Sequence, residues 1–280
     1  MDGQAVPAAA MSEEPLTAGS PGDEELSDYL SRPLERPAAE VLEAIERGPI
    51  AAADALALTD AEALLDRAPL RVESGWCELP DGVGYVAVRT DMPAVSGEMV
   101  DWWFDWHPRE AMRYRIWHPQ AHLDNSLREP ARSGAKAHWG AVHHPVEDVG
   151  IGVVHARIAF HSPSAMGLAT DALDQQDVAT VVCGYAGDDR RRVRHTPMFH
   201  VFLREGDGVV LRSRFWLGAA LRPFGVLGAP GERLLNNRLV RKRALPARLP
   251  RALAAHCAEE YANLGALLPE LYARFGPHAS

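Results

Sequence analysis

Residues 250–268 read Pro-Arg-Ala-Leu253-Ala-Ala-His256-Cys257-Ala-Glu-Glu260-Tyr261-Ala-Asn-Leu264-Gly-Ala-Leu-Leu268. Leu253, Cys257, Tyr261, Leu264 and Leu268 recur at intervals of three and four, which predicts a long helix with one apolar stripe. His256 and Glu260 fall along the edge of that stripe rather than on the solvent face. Four residues apart on a helix, their Cβ atoms stand about 5–6 Å apart, close enough to grip a single metal ion. Pro269 removes a backbone donor and crowds the preceding turn, so the helix is expected to kink or end there.

Upstream the period changes from helical to alternating. Residues 70–79 and 84–90 read as strands, joined by Pro80-Asp81-Gly82, whose glycine supplies a positive φ. Ser96 is placed to cap a helix carrying Trp102, Trp103 and Trp106, with Glu98 in its first turn. Strands resume at 150–160, 178–185 and 198–204, and the last returns through Glu205-Gly206-Asp207-Gly208 to a partner at 209–217. The pattern predicts an α+β fold in which a curved antiparallel sheet wraps a long C-terminal helix, a scaffold suited to a deep pocket. Towards the N-terminus, Val41, Leu42 and Ile45 form one helical stripe, and Thr59-Asp60-Ala61-Glu62 reads as a capping box. The expected organisation is a disordered tail over 1–25, a small helical domain over 26–69 and the main domain over 70–280.

Composition narrows the function. The chain has 280 residues, 47% of them hydrophobic, and a net charge of −9. Neither a phosphate backbone nor an anionic membrane attracts such a surface overall, so nucleic-acid and membrane partners are not expected. Three scattered cysteines without a CxxC pair exclude a disulfide framework and a thiolate zinc knuckle, leaving nitrogen and oxygen as metal ligands. The acidic start resembles no signal peptide and no apolar run spans a bilayer, so a cytoplasmic location is expected.

A lone His-x-x-x-Glu is a weak signal, because exposed pairs of this kind are ordinary surface interactions. A metal site needs three or four such ligands, and His122 and Glu147 are candidates from the sheet side. Histidines 107, 118, 138, 143, 144, 155, 195 and 200 compete with them, and spacing alone does not choose. Trp102, Trp103, Trp106, Trp117 and Trp139 suit core packing, while Trp103 and its neighbours would also wall a pocket for a flat phenolic ligand. The arginine clusters at 190–194 and 238–243 read as solvated loops rather than anion sites. Neither a GxSxG elbow nor a P-loop is present.

Six ordered blocks resemble one family. Trp102-Trp103-Phe104-x-Trp106-His107-Pro108, Arg113-Tyr114-x-x-Trp117, His122-x-x-Asn125, Glu147-Asp148-x-Gly150, Arg212-Ser213-Arg214-Phe215-Trp216-Leu217-Gly218 and His256-Cys257-x-x-Glu260-Tyr261 are similar to the diacetylphloroglucinol and phloretin hydrolases. The resemblance spans roughly residues 70 to 275. It implies a Bet v 1-like helix-grip fold and one Zn2+ per chain, held by His122, Glu147, His256 and Glu260. It also implies that Tyr114 and Asn125 contact substrate oxygens and that His200 is the active-site histidine. One departure concerns the substrate: the diacetylphloroglucinol enzymes carry a further pocket tyrosine between the Arg-Ser-Arg-Phe-Trp block and the last helix. Here no tyrosine occurs between Tyr185 and Tyr261.

The implied activity is a hydrolase acting on carbon–carbon bonds in ketonic substances, by retro-Claisen hydrolysis of a phenolic or polyketide-like acyl compound. Zinc would polarise the carbonyl, Tyr114 and Asn125 would hold the enolic oxygens, and His200 would serve as the acid. Two alternatives stand beside it: retro-aldol or aldol chemistry at the same metal, and a metal-free small-molecule binding protein. For the N-terminal region the candidate roles are covering the pocket and self-association as a homodimer.

Overall fold

Period-two alternation places apolar side chains on both faces of the central strands. In β9 (Val193–Glu205), Met198 and Phe202 face one core while Phe199, Val201 and Leu203 face another. In β10 (Gly208–Leu217), Val209, Leu211, Phe215 and Leu217 join the first core and Trp216 the second. A sheet apolar on both sides must be covered on both sides, and the rest of the chain supplies the covers.

The computed structural model describes residues 23–129, 136–169, 177–223 and 236–277. The tail expected over 1–25 therefore lies outside the described residues, except that 23–25 open helix α1 (Asp23–Ser31). The fold is α+β with a large antiparallel sheet, ordered β1 (Gly75–Glu78), β2 (Gly84–Met92), β10, β9, β8 (Val178–Asp188), β7 (Val153–His161), β5 (Val142–His143) and β4 (Leu127–Glu129). Two short strands, β3 (His122–Asp124) and β6 (Val146–Asp148), pair with each other, and β6 also pairs with β7. A final β11 (Arg222–Pro223) pairs with β9. The expected turns close as read: Gly82 adopts φ +84° and Gly206 φ +57°. No helix among the described residues is long and apolar enough to cross a membrane.

The first face is covered by helices. Besides α1 these are α2 (Ala39–Glu46), α3 (Gly97–Trp106), α4 (Ala111–Trp117), α5 (Arg238–Ala244) and the 27-residue α6 (Leu249–Phe275). Ser96 caps α3 by accepting from the Met99 backbone N–H, as its position suggested. From α6, Cys257, Tyr261, Leu264 and Leu268 pack in one core with Val86, Val88, Phe202 and Leu211. Leu26 and Tyr29 of α1 and Val41 and Ile45 of α2 belong to that same core. The second face is covered by the 3-10 turns of Leu58–Leu65, whose Leu64 and Leu65 pack with Tyr85, Phe199 and Trp216.

Three expectations change on contact with tertiary structure. The helix continues through Pro269 to Phe275, because the last turns are held from outside: Tyr29 donates to Glu270 at 2.8 Å, Arg32 pairs with it at 2.7 Å, and Phe275 stacks on Trp106. The Thr59 capping box does not form; Thr59 bonds Asp60 and the segment is 3-10, tightened as its leucines dock on the sheet. The strand read from Leu70 begins only at Gly75. Before it, Glu73 turns inward to accept from Leu70 N at 2.9 Å and to pair with the buried Arg212 (2.8 Å) and Arg214 (3.4 Å).

Candidate metal centre

The β3–β6 register sets His122 directly opposite Glu147. From the other side, α6 presents His256 and Glu260 one turn apart. The four side chains converge. His122 Nε2 lies 3.6 Å from Glu147 Oε2 and 3.6 Å from Glu260 Oε2, and His256 Nε2 lies 3.7 Å and 3.9 Å from the same two oxygens. Among the described residues, His122, Glu147 and His256 form a group whose ligand atoms all lie within 4.8 Å of one another.

Proton accounting shows what this arrangement requires. His122 Nδ1 lies 3.1 Å from the carbonyl oxygen of Tyr114, which can only accept, so Nδ1 carries the proton. Burial and the neighbouring His256 hold the His122 pKa well below its ordinary value, so the ring is neutral and Nε2 offers a lone pair. That Nε2 is buried with no hydrogen-bond partner. The Nε2 lone pair faces two carboxylate oxygens, of which the Tyr114 hydroxyl serves that of Glu147 alone, and unsatisfied buried acceptors are costly. A cation among them removes the conflict. Metal–ligand bonds of about 2.0–2.2 Å set neighbouring tetrahedral donors roughly 3.3–3.6 Å apart, close to the observed spacing.

The carboxylates carry the same signature. Burial, then the charge of Glu147, raises the Glu260 pKa well above the ordinary carboxylate range. Burial also raises Glu147, partly offset by the hydroxyl of Tyr114, which donates to Glu147 Oε2. Burial, reinforced by His118, pushes His256 down to about 3. Two neutral imidazoles and two carboxylates that resist ionisation without a counter-charge make a donor set matched to a divalent ion. Supporting contacts orient it. The Tyr114 ring stacks flat on His122 with centroids 4.0 Å apart, and His118, bonded to Glu259 at 3.2 Å, stacks on His256.

A cavity of about 690 Å³ opens onto this centre, with Tyr114, Asn125, Glu147, His200, His256 and Glu260 in its lining. Asn125 is buried and its Oδ1 has no hydrogen-bond partner. His200 bonds Ser213 Oγ at 2.8 Å, and burial pushes its pKa down to about 3. Burial thus favours its neutral form, in which the ring is a hydrogen-bonding group.

Trp103, expected in the pocket wall, is not among the residues lining the cavity. It is fully buried on the apolar stripe of α3, against Trp102, Trp106 and Trp117, while Phe104 and Trp117 supply the aromatic wall. Among the competing histidines, 107, 143, 155 and 195 line the cavity, but none joins the donor cluster. His107 and His143 were missed as pocket residues. The Trp106-His107-Pro108 block hinted at the first; nothing in the sequence marks His143, which reaches the pocket through the pairing of β5 with β7.

Comparison with known proteins gives a consistent picture. Residues 56–273 match the model of the DAPG hydrolase PhiG domain. A 2,4-diacetylphloroglucinol hydrolase of Pseudomonas protegens is 31% identical over 245 residues, covering 84% of this chain and 80% of that protein. A phloretin hydrolase of Eubacterium ramulus is 32% identical over 201 residues, covering 69% of each chain.

Proposed function

The chain belongs to the DAPG hydrolase family, and from that premise we propose that it is a zinc-dependent hydrolase of acylphloroglucinol-like or polyketide-like ketones. The reaction is retro-Claisen: water adds to the acyl carbon, the bond from that carbon to the ring breaks, and the ring carbon keeps a proton. The products are a carboxylate, one released proton and the deacylated ring compound. The observation that carries this reading is the partnerless His122 Nε2, buried behind the cavity and 3.6 Å from carboxylate oxygens of Glu147 and Glu260, both of which line it.

His122, Glu147, His256 and Glu260 would hold the ion, which when bound would supply Lewis-acid polarisation of a carbonyl and lower the pKa of water towards about 7. Tyr114 keeps its proton, since burial and the adjacent Glu147 raise its pKa well above 10, and with Glu147 turned to an ion its hydroxyl would be released from that carboxylate to donate to a substrate oxygen. Asn125 offers its unsatisfied Oδ1 to a hydroxyl of the ring. Together they favour the keto tautomer whose ring carbon is already protonated, so the departing carbon leaves as a neutral enol carbon. His200 contributes a neutral hydrogen bond positioned by Ser213, a role documented for buried imidazoles in carbonyl chemistry. We assign the fold to the Bet v 1-like helix-grip class, in which a long C-terminal helix and an antiparallel sheet enclose the cavity.

The test is elemental analysis of purified protein, with turnover of acylphloroglucinols measured before and after chelation in oxygen-labelled water. One zinc per chain, activity lost on chelation and restored by zinc, and one labelled oxygen in the released carboxylate are the expected results. Retro-aldol chemistry would leave the product unlabelled, and turnover that survives complete metal removal would refute the reading.

A further inference from the structure

The cavity has two chemically distinct ends. Around the metal cluster its lining is aromatic and polar: Phe104, His107, Tyr114, Asn125, His143 and Phe160. His143 Nε2 and Asn125 Oδ1 are buried there without partners. Flat rings and unsatisfied hydrogen-bonding atoms suit a planar, hydroxylated ring.

The other end is aliphatic. Along α6 the lining residues are Glu260, His256, Leu253 and Leu249, spaced as one helix face. At 1.5 Å rise per residue, Leu249 lies about 10 Å beyond His256 along the helix axis. Leu217 on β10, with Ile151, Leu245 and Pro246, lines the same cavity. These groups offer neither a flat face nor a polar partner, so they reward a flexible apolar chain by burial alone. At the mouth the lining turns polar again at Arg190, Arg191 and Arg243, all exposed, with Asp188 paired to Arg191 at 3.3 Å.

We propose that this aliphatic arm binds the acyl chain of the substrate, and that the enzyme selects ketones with an extended apolar acyl group of about octanoyl length over acetyl compounds. The assignment of the arm to the acyl side rests on the hydrolase reading. The existence of the arm does not. Because the chain is gripped equally before and during reaction, its burial lowers KM and leaves kcat nearly unchanged.

The experiment has two arms. In the first, kcat and KM are measured for mono- and diacylphloroglucinols from acetyl through butanoyl, hexanoyl and octanoyl to dodecanoyl. The value of kcat/KM should rise about fourfold per methylene, as expected for buried CH2 groups, and level off past octanoyl, where the chain reaches the arginine rim. In the second, alkylphloroglucinols with no carbonyl to cleave are titrated against the zinc-loaded protein by calorimetry, and affinity should follow the same series. Leu253→Trp should flatten both series. Should that variant fail to fold, Leu217→Phe carries the same test. Equal or better kcat/KM and affinity for the short compounds in both arms would overturn the proposal. Alkyl affinity rising with length while no acyl compound is cleaved would uphold the arm and refute the hydrolase reading; cleavage without length dependence would do the reverse.

Discussion

Lowering the pH from 7 to 5 should unfold this protein far more steeply than an average domain, and buried histidines set the slope. Burial pushes His107, His200 and His256 down to about 3, and His138 and His195 down to about 4. Unfolded, each would titrate near 6.5. The folded values are the lower ones, so the unfolded chain takes up protons first. The stability these five groups contribute is complete above about pH 6.5 and is lost as the pH falls towards their folded values. Each costs up to about 1.4 kcal/mol per pH unit below 6.5, or about 7 kcal/mol per unit for five. Glu147 and Glu260 act oppositely in the metal-free protein. Their raised folded pKa values give stability that is present below about 4.3 and lost as the pH rises through the folded values, which offsets part of the histidine uptake. His122 and His143, also held well below their ordinary value, add to the uptake, and a net uptake of at least about five protons is worth about 7 kcal/mol per pH unit, against a total stability of about 5–15 kcal/mol. Denaturant titrations of the chelated protein at half-unit steps should therefore show the midpoint collapsing between about pH 6 and pH 5. His195→Gln should reduce the slope by about one proton. A stability that stays flat from pH 7 to 5 would refute the claim that these imidazoles are held neutral by burial.

Four further outcomes follow from the same contacts. Glu260→Gln should lose zinc, with metal content falling to about a tenth or less of the wild-type value and turnover falling at least about 100-fold, while far-UV circular dichroism is unchanged. His200→Ala should lower kcat by about 10²–10⁴-fold, and the wild-type rate should show no inflection near pH 6.5 assignable to His200. Glu73→Ala strands the buried Arg212 and Arg214 and should cost about 3–5 kcal/mol by chemical denaturation. Chelation should speed amide exchange in β3 and β6 more than in β8, β9 and β10; uniform protection across all five strands would count against the metal's joining β3 and β6 to the helix.

The sequence was most legible where local chemistry and burial agree. The strands of β8 to β10, the glycine turns at 82 and 206 and the Ser96 cap each depend on near neighbours. So does the His256–Glu260 pair, because one helical turn fixes it. The rest depends on contacts distant in the chain. Helix α6 passes Pro269 because Tyr29 of α1 and Arg32 just after it, more than 200 residues earlier, bond Glu270. Residues 70–74 leave the strand because Glu73 meets Arg212 and Arg214 on β10. His122 could not be separated from its competitors by spacing, since what selects it is the register that sets it opposite Glu147. The resemblance supplied that selection, and Trp103 marks where aromatic clustering misleads: the same α3 stripe that looked like a pocket wall is a core layer.

The way the four donors are distributed explains why so costly a site is tolerated. His122 and Glu147 sit on two short strands at the edge of the fold, while His256 and Glu260 sit on the helix that anchors its core. Without an ion, those strands bring an unpartnered nitrogen and a carboxylate against a second carboxylate, and the fold works against itself at that edge. With an ion, the same groups become a crosslink between segments more than a hundred residues apart, and its binding energy adds to folding. The strain is thus conditional on an empty site, so a bound ion would tie β3 and β6 to α6. Tyr114 lies against the ligands of the two strands. Its ring stacks on one ligand, its backbone carbonyl fixes the proton of that ligand, and its hydroxyl touches a second. A group so tied to the ligands, and itself part of the cavity lining, couples the aromatic wall of the cavity to the donor cluster.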